Sequence, residues 1–585
     1  MKKLLCVLLL LVAMSGVFAT VTEKNRQEII SVDSPIWDAM QNLYIAQGLS
    51  LPSTTGPWSM AEMDLMLDRV NSDKLDENEL CVYEFLYSEI KGEARLNPNS
   101  NLGIGIGLDV NAYMYAHSNA LEYTSLDDFG ANNDFKYAKP MFSVPLETWI
   151  GSNIYGFSSF DLGVSRTVAS GNDFKNCNFF TNIIMVPPTA IGDLDLTFPH
   201  RAFGVIGGDN WYISVGRDKL RWGPGVSGNL TVGDQLPYHD NARISAFTDS
   251  FKYTFSISSF LHPMNYTKEV DKKDYIKDSW SQNNDRDGLR LFVAHRLEWR
   301  IFNKVNMALT ESIMYQSKTN HIDLLILSPT AIFHNYYIRN NANSLLSLEI
   351  DYTPVQGLNL YSEFVLDEFM LPGENGSNKS GPPSAFGVIV GAKSAFAING
   401  GMLSASAEFA YTDPYLYLRD GDGDREGKAY GVNFVVNHPD ILGGNFYNDF
   451  NFLGYKYGND CIVGSLNVGY DVYDDWNIGG SMTYIADGTY DMHTRWFQVE
   501  NNTSQDPNAP TSRPNGNGSY LEGDDQNARN AVSHHFILDI NGSITLFDSF
   551  SIFSELTFLN TWNYMNMHGE TSSDIQFTLG LSYSV

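Results

Sequence analysis

Ile575-Gln576-Phe577-Thr578-Leu579-Gly580-Leu581-Ser582-Tyr583-Ser584-Val585 is apolar or aromatic at every odd position and small or polar at every even one. Side chains on a strand alternate between its two faces, so one face of this segment is greasy and the other is not. The chain stops on that strand, as the closing strand of a β-barrel with lipid outside and a polar filling inside would. The same period returns upstream. Leu102, Ile104, Ile106, Leu108 and Val110 alternate with Gly103, Gly105, Gly107 and Asp109. Similar segments are read at Phe203 to Val215, Phe251 to Phe260, Leu291 to Ile301, Val305 to Tyr315, Leu345 to Tyr352 and Leu358 to Val365. They continue at Leu403 to Tyr411, Ile462 to Tyr470, Ile478 to Tyr484, Phe536 to Ile544 and Phe550 to Leu559. Strands of about ten residues over this length predict roughly sixteen to twenty of them.

The N-terminus predicts export. Met1-Lys2-Lys3 is a basic start, Leu4 to Val12 is a short apolar run, and Val17-Phe18-Ala19 fits a cleavage site. The mature chain is expected to begin near Thr20, with no Cys after the cut to carry a lipid anchor. No later run is long and apolar enough for a membrane-spanning helix. A mean hydropathy of −0.22 fits a barrel, in which only alternate strand residues meet lipid. Tyr (32), Phe (35) and Gly (49) suit strands and interfacial girdles. The net charge of −30 makes nucleic acid and anionic lipid poor partners. Cys81, Cys177 and Cys461 are too widely spaced for a metal site, and no disulfide is expected.

Between residues 30 and about 95 the period is helical. Asp33-Ser34-Pro35 gives an N-cap with Pro at the first helical position. Ile36, Trp37, Met40, Leu43, Tyr44 and Leu49 then share a face up to Gly48. Ser59 with Glu62 forms a capping-box pattern ahead of Met63, Met66, Leu67 and Val70. Leu80, Tyr83, Phe85, Leu86 and Ile90 mark a third helix ending at Gly92. The expected division is a signal peptide (1–19), a periplasmic helical module (20–96) that plugs the barrel or docks a partner, and an outer-membrane barrel (97–585). Polar stretches at 265–288, 372–384 and 500–531 read as long outward loops.

The densest cluster is Gly216-Arg217-Asp218-Lys219-Leu220-Arg221-Trp222-Gly223-Pro224-Gly225, followed by Asn229-Leu230. Its arginines either brace the wall by pairing with carboxylates or hold an anionic ligand. His295, Glu298 and Glu311 lie on adjacent expected strands and can cluster in the lumen, either as a proton or metal site or, the plainer expectation, packing with Arg296 or Arg300. Asp420-Gly421-Asp422-Gly423-Asp424 departs from the calcium-loop pattern at Arg425 and Gly431 and reads as a solvated turn. No nucleophile elbow, zinc-protease helix, P-loop or barrel-phospholipase pair occurs, so neither an enzyme nor a cofactor is expected. Loop aromatics beside amides and carboxylates suit sugar binding. Trp280, Trp496 and Tyr520 are candidate glycan contacts, with Tyr238, Tyr266, Tyr415 and Tyr417 in the same class, set against a role as girdle aromatics.

These residues also carry a resemblance. The Gly216–Leu230 cluster, His295-Arg296-Leu297-Glu298-Trp299, Glu311 with Tyr315, Asn343-Ser344-Leu345-Leu346, Leu360-Tyr361-Ser362-Glu363 and Asp367 resemble the Wzi family of capsule-assembly outer-membrane proteins. The Asp33-Ser34-Pro35 module is similar to that family's periplasmic helical part. The resemblance implies an all-β transmembrane barrel of about 18 antiparallel strands with a small N-terminal α-helical module. It implies a non-enzymatic, lectin-like protein anchoring surface polysaccharide, with the Gly216–Gly225 and His295–Glu311 motif residues structural. Expected partners are that polysaccharide, outer-membrane lipid and the barrel-insertion machinery. The other function class is a porin or transporter with a water-filled, cation-favouring lumen. A surface adhesin binding host protein through the same loops is the third.

Overall fold

The computed structural model describes residues 25–92, 102–118, 139–164, 184–185, 194–197, 199–260, 289–317, 321–328, 333, 342–368, 385–419, 432–442, 445–492, 494, 508–512, 528–547 and 549–585. Ser34 caps α1 (Pro35–Ala46) and Ser59 caps α2 (Met60–Asp68) by accepting from Glu62 N–H. The reciprocal half of that capping box is missing, because the Glu62 side chain is drawn to Lys252 instead. The complete box belongs to Asp76 and Glu79 at the start of α3 (Glu77–Lys91). Met40, Leu43, Tyr44, Met63, Leu67, Val82 and Leu86 are buried together, and Trp37 stacks on Trp58 at 3.8 Å between ring centroids. Each such side chain contributes about 1.5–3 kcal/mol by leaving water. No single helix buries its stripe alone.

Eighteen antiparallel strands close into a barrel. β1 runs through Leu102–Ile106 and Asp109–His117, β2 is Phe142–Ile150 and β3 is Ile154–Val164. β4 joins Leu194–Thr197 and Ala202–Gly207, and β5 is Trp211–Asp218. The stretch from Phe203 to Val215, expected as one strand, is therefore two. Gly207, Gly208, Asp209 and Asn210 turn the chain back, with Gly208 N donating to Trp211 O at 2.8 Å. Then come β6 (His239–Phe247), β7 (Phe251–Phe260), β8 (Leu289–Ile301), β9 (Val305–Ser317), β10 (Ala342–Val355) and β11 (Leu358–Glu368). The circuit ends with β12 (Ala385–Ile398), β13 (Gly401–Thr412), β14 (Cys461–Val472), β15 (Trp476–Asp487), β16 (Ser533–Leu546), β17 (Phe550–Trp562) and β18 (Thr571–Ser584). The terminal strand read from sequence, β18, closes the ring on β1, Phe577 facing Ala116 and Tyr583 facing Val110.

β10 displays the design in one strand. Leu346, Leu348, Ile350 and Tyr352 are exposed on the outside, while Asn343, Leu345, Ser347, Glu349 and Asp351 are buried inside. An outward charge at membrane depth costs about 2–4 kcal/mol at the midplane, so the charges turn inward. Turns of a few residues join the strands at one end, at 151–153, 208–210, 248–250, 302–304, 356–357, 399–400, 473–475 and 547–549. The helical segment sits over this short-turn end. It bonds to the turns through Asn25 to Gly151 O (2.8 Å), Gln27 to Gly208 O (3.1 Å) and Arg69 to Thr248 O (3.2 Å). Ser50 N donates to Asn303 O (2.9 Å), Gly357 N to Ile45 O (2.8 Å) and Gly400 N to Asn78 (2.9 Å). Phe85 stacks on Tyr473.

Candidate functional site: a filled lumen

Residues 219–238, between β5 and β6, fold back into the barrel from the long-loop end. Gly223 permits the entry turn: its φ is +132°, and an added Cβ would lie 2.3 Å from Asn229 Oδ1. Asn229 in turn accepts from Gly225 N at 2.9 Å, which fixes the Gly223-Pro224-Gly225 bend. Leu220, Trp222, Leu230 and Val232 lose all solvent contact. They pack with Phe292, Met314, Val365, Leu416, Tyr417, Phe434 and Leu453 in an apolar core inside the barrel.

Two wall carboxylates grip the backbone of this loop. Glu363 on β11 accepts from Leu230 N (2.9 Å) and Thr231 N (3.1 Å). Glu408 on β13 accepts from Val226 N (2.8 Å), Ser227 N (2.9 Å), Ser227 Oγ and Tyr361 OH (2.7 Å). Tyr417 OH donates to Leu230 O at 2.6 Å. Arg221 and Trp222 pair as a short antiparallel ladder with Thr55 and Gly56 of the helical segment. The loop from one end thus meets the plug from the other, in mid-lumen.

Beneath that ladder lies a buried ionic latch. Arg296 on β8 donates to Glu298 (3.0 Å), Thr310 (3.0 Å), Thr54 (2.6 Å) and both oxygens of Glu349. Glu298 also accepts from Thr55 Oγ1. Lys252 on β7 reaches Glu62 of α2 (2.5 Å), Ser53 Oγ (3.0 Å) and Thr55 O (2.8 Å). Asp351 on β10 accepts from Leu51 N at 2.8 Å. Burial pushes the Glu62 carboxyl above its usual range, opposed by the Lys252 charge. A buried carboxylate of this kind is held by its partner and by little else.

Arg296, Glu298, Arg221, Trp222, Gly223, Pro224 and Gly225 therefore converge inside the barrel, with Gly216 two residues from the end of β5. Three residues of the same group lie elsewhere. Arg217 faces outward, paired with Asp240 at 2.8 Å and lying over the Tyr238 ring. His295 and Glu311 do not join Glu298 in the lumen. They face each other on the outer wall at 3.2 Å, under Phe333. Residues 295 and 298 are an odd number apart, so a strand must send them to opposite faces. A short turn at Leu324–Leu327 places Ile326 with Phe333 on Leu291, Val293, Ile313 and Tyr315 of that outer face.

Trp280, Trp496, Tyr520 and Tyr266, the 420–424 turn and Cys177 lie outside the described residues. Tyr238, Tyr415 and Tyr417 are buried, so their faces are spent on the protein itself and offer no platform to a sugar. Lys252, Asp351, Glu349 and Glu408 were not singled out from sequence. Their signal was a charged residue at an inward position of an alternating strand.

The other half of the wall has a different charge. β13 to β18 and β1 to β3 contain no Lys or Arg, and each carries one carboxylate: Glu408, Asp471, Asp487, Asp539, Glu555, Asp574, Asp109, Glu147 and Asp161. By register all of these point inward. The neighbouring Ser406, Asn467, Asn477, Asn541 and Ser543 are half-buried rather than packed away.

These features define a closed outer-membrane-type β-barrel with an occupied lumen. No family model matches the chain, and no curated protein does. Among solved structures it is similar to Wzi of Escherichia coli, an outer-membrane protein involved in group 1 capsule assembly and described as a carbohydrate-binding β-barrel. Identity is 12%, covering 95% of this chain and 98% of that one, with a TM-score of 0.54. The outer-membrane channel DcaP of Acinetobacter baumannii matches at 10% identity over 83% of this chain and 98% of that one, TM-score 0.36. OprD of Pseudomonas aeruginosa matches at 9% over 82% and 94%, TM-score 0.38. At these identities the likeness is one of fold.

Proposed function

We propose that this protein is a non-enzymatic, lectin-like outer-membrane barrel of the Wzi type. It would bind or anchor capsular or other surface polysaccharide through its long loops, with the helical plug on the periplasmic side. The observation that carries this is the lumen itself. It is stoppered from the short-turn end by helices and from the long-loop end by residues 219–238, and the two are joined by strand pairing and a buried ionic latch. A barrel so filled serves as a rigid stand for its loops rather than as a wide pore. The test is saturable binding of the detergent-solubilised protein to the purified surface polysaccharide of the producing cell, compared with a variant lacking residues 500–531. Binding that weakens in the deletion supports the proposal and places the contact in that loop; no binding to any surface glycan overturns it.

A second reading, a channel, is favoured by one observation: the carboxylate-bearing half of the wall without a single Lys or Arg. Such a face concentrates cations and repels anions. Planar-bilayer recording separates the two. A stand for polysaccharide is silent, and a channel along β13–β18 and β1–β3 conducts with cation preference.

A further inference from the structure

At the short-turn rim the helical segment and the wall leave a cleft between them. It encloses about 350 Å³ of empty space, the open solvent at its mouth included. The cleft runs beside the turn at 248–250, whose residues are exposed. Its lining takes in inward residues of the wall, Lys252, Glu298 and Arg300. It also takes in two outward ones, Phe251 and Trp299, which face each other across β7 and β8. Arg69, just past the end of α2, completes it from the plug.

Neither arginine of the cleft is bonded to a carboxylate among the described residues. Arg69 donates to Thr248 O (3.2 Å) and Tyr44 OH (3.5 Å), and its buried Nε has no partner there. Arg300 donates to Ser50 O (3.0 Å), Ser50 Oγ and Leu51 O (2.6 Å), and its guanidinium lies 5.5 Å from the centre of the Tyr44 ring. Each of these bonds goes to a neutral oxygen. Tyr44 thus carries one guanidinium on its hydroxyl and the other over its ring. The charge that bears most on Arg300 is that of Arg69, ahead of Asp351 and Glu298. Of the lining carboxylates, Glu62 is taken by Lys252 and Glu298 by Arg296, while Asp249 stands exposed on the turn. Two like charges held side by side and partly out of water repel, and an anion between them relieves the repulsion.

Phe251 and Trp299 set the mouth of the cleft at the level of the membrane surface. They belong to a band near the short-turn ends of the strands, with exposed Trp211, Tyr352, Trp476 and Tyr583, where aromatic side chains meet lipid headgroups. We propose that the cleft binds the headgroup of an ethanolamine phospholipid from the leaflet at that rim. Arg69 and Arg300 share its phosphate by charge-assisted hydrogen bonds. Its ammonium lies toward Asp249, and its acyl chains run over Phe251 and Trp299. The lipid neutralises the arginine pair and joins plug to wall where the end of α2 meets the β6–β7 turn. This is independent of what the long loops bind.

Native mass spectrometry of the detergent-solubilised full chain tests it with three probes: phosphatidylethanolamine, diacylglycerol of the same acyl chains, and glycerophosphoethanolamine, the soluble headgroup. Phosphatidylethanolamine should stay bound after the micelle is stripped, and diacylglycerol should not. R69Q/R300Q should lose the lipid while far-UV circular dichroism shows its barrel intact. Equal retention of the two lipids, or equal retention of phosphatidylethanolamine by the intact chain and the variant, means belt lipid only and overturns the proposal. Displacement of the lipid by an equal concentration of glycerophosphoethanolamine assigns the cleft to a free phosphate ester and overturns the lipid as its occupant. Should the double variant fail to fold, R69Q alone, which leaves the wall untouched, should still weaken retention. The intact chain gives a second readout: its Tm should rise to a plateau with phosphatidylethanolamine and stay level with diacylglycerol. An equal rise with both lipids counts against the proposal.

Discussion

Arg296 is the residue on which the latch turns, because four groups from three wall strands and the plug depend on it. Arg296→Met leaves Glu298 and Glu349 buried without their cation. The expected loss is on the order of 3–5 kcal/mol, read by urea unfolding in detergent. Replacing both glutamates by Gln in the same chain should recover a large part of it, since paired removal spares the stranded charges. A second residue sets a pH dependence. Asp460, in the loop before β14, accepts from Tyr490 N (3.0 Å), Thr511 N (2.9 Å) and Thr511 Oγ1 (2.5 Å). Burial nonetheless pushes its carboxyl up from 3.8 to about 7. A folded value above the unfolded one stabilises fully at pH below the unfolded value and loses that stabilisation as pH rises through the folded one. Hydrogen exchange at Thr489 and Thr511, corrected for intrinsic rate, should therefore quicken as pH rises through about 7. In Asp460→Asn it should stay flat. Neither role was legible in sequence. Arg296 stood out as a charge in a strand, but its partners come from positions as distant as Thr54 and Glu349, and no local pattern joins them.

Among the elements, α1 and α2 were legible because a capping residue and a helical stripe agree, at Ser34-Pro35 and Ser59, and α3 because its stripe from Leu80 to Ile90 runs to Gly92; its cap at Asp76-Glu79 was not read from the sequence. Strands such as β10 and β18 were legible because lipid demands strict alternation. β2, with Pro145 and Glu147, and β6, which opens His239-Asp240-Asn241-Ala242-Arg243, were not. The outward face of β6 (Asp240, Ala242, Ile244, Ala246) is only weakly apolar, which dilutes its period, and in β2 the alternation Phe142-Val144-Leu146-Ile150 is interrupted by Pro145, a residue that reads against a strand interior. The inward course of 219–238 was hidden for another reason. A loop with four glycines and two prolines reads as a string of turns, and only the register of β11 and β13 shows carboxylates waiting for its backbone. Glu408→Ala removes the acceptor of Val226 N and Ser227 N. Each stranded donor costs about 1–3 kcal/mol, so the loop should become open to protease while the barrel itself keeps its fold, read by far-UV circular dichroism. Gly223→Val meets Asn229 and a forbidden φ together, and should loosen the same segment by about 1–3 kcal/mol.

For the whole molecule, one consequence of the filled lumen concerns permeation. With 219–238 replaced by a short Gly-Ser linker, bilayer conductance should rise above that of the intact protein, and reversal potentials in a salt gradient should report cations. Anion preference would mean that the cation-bearing strands β5–β8, and not the acidic face, line the path that opens. The contact between Arg221-Trp222 and Thr55-Gly56 has another consequence, a mechanical one. One partner belongs to a loop rooted at the long-loop rim, the other to the helical segment bonded to the short turns of the opposite rim. Tension applied to that loop is carried down the axis of the cylinder, across a few backbone hydrogen bonds, to the far side of the bilayer. The wall strands need not deform for a tug at one rim to be felt at the other.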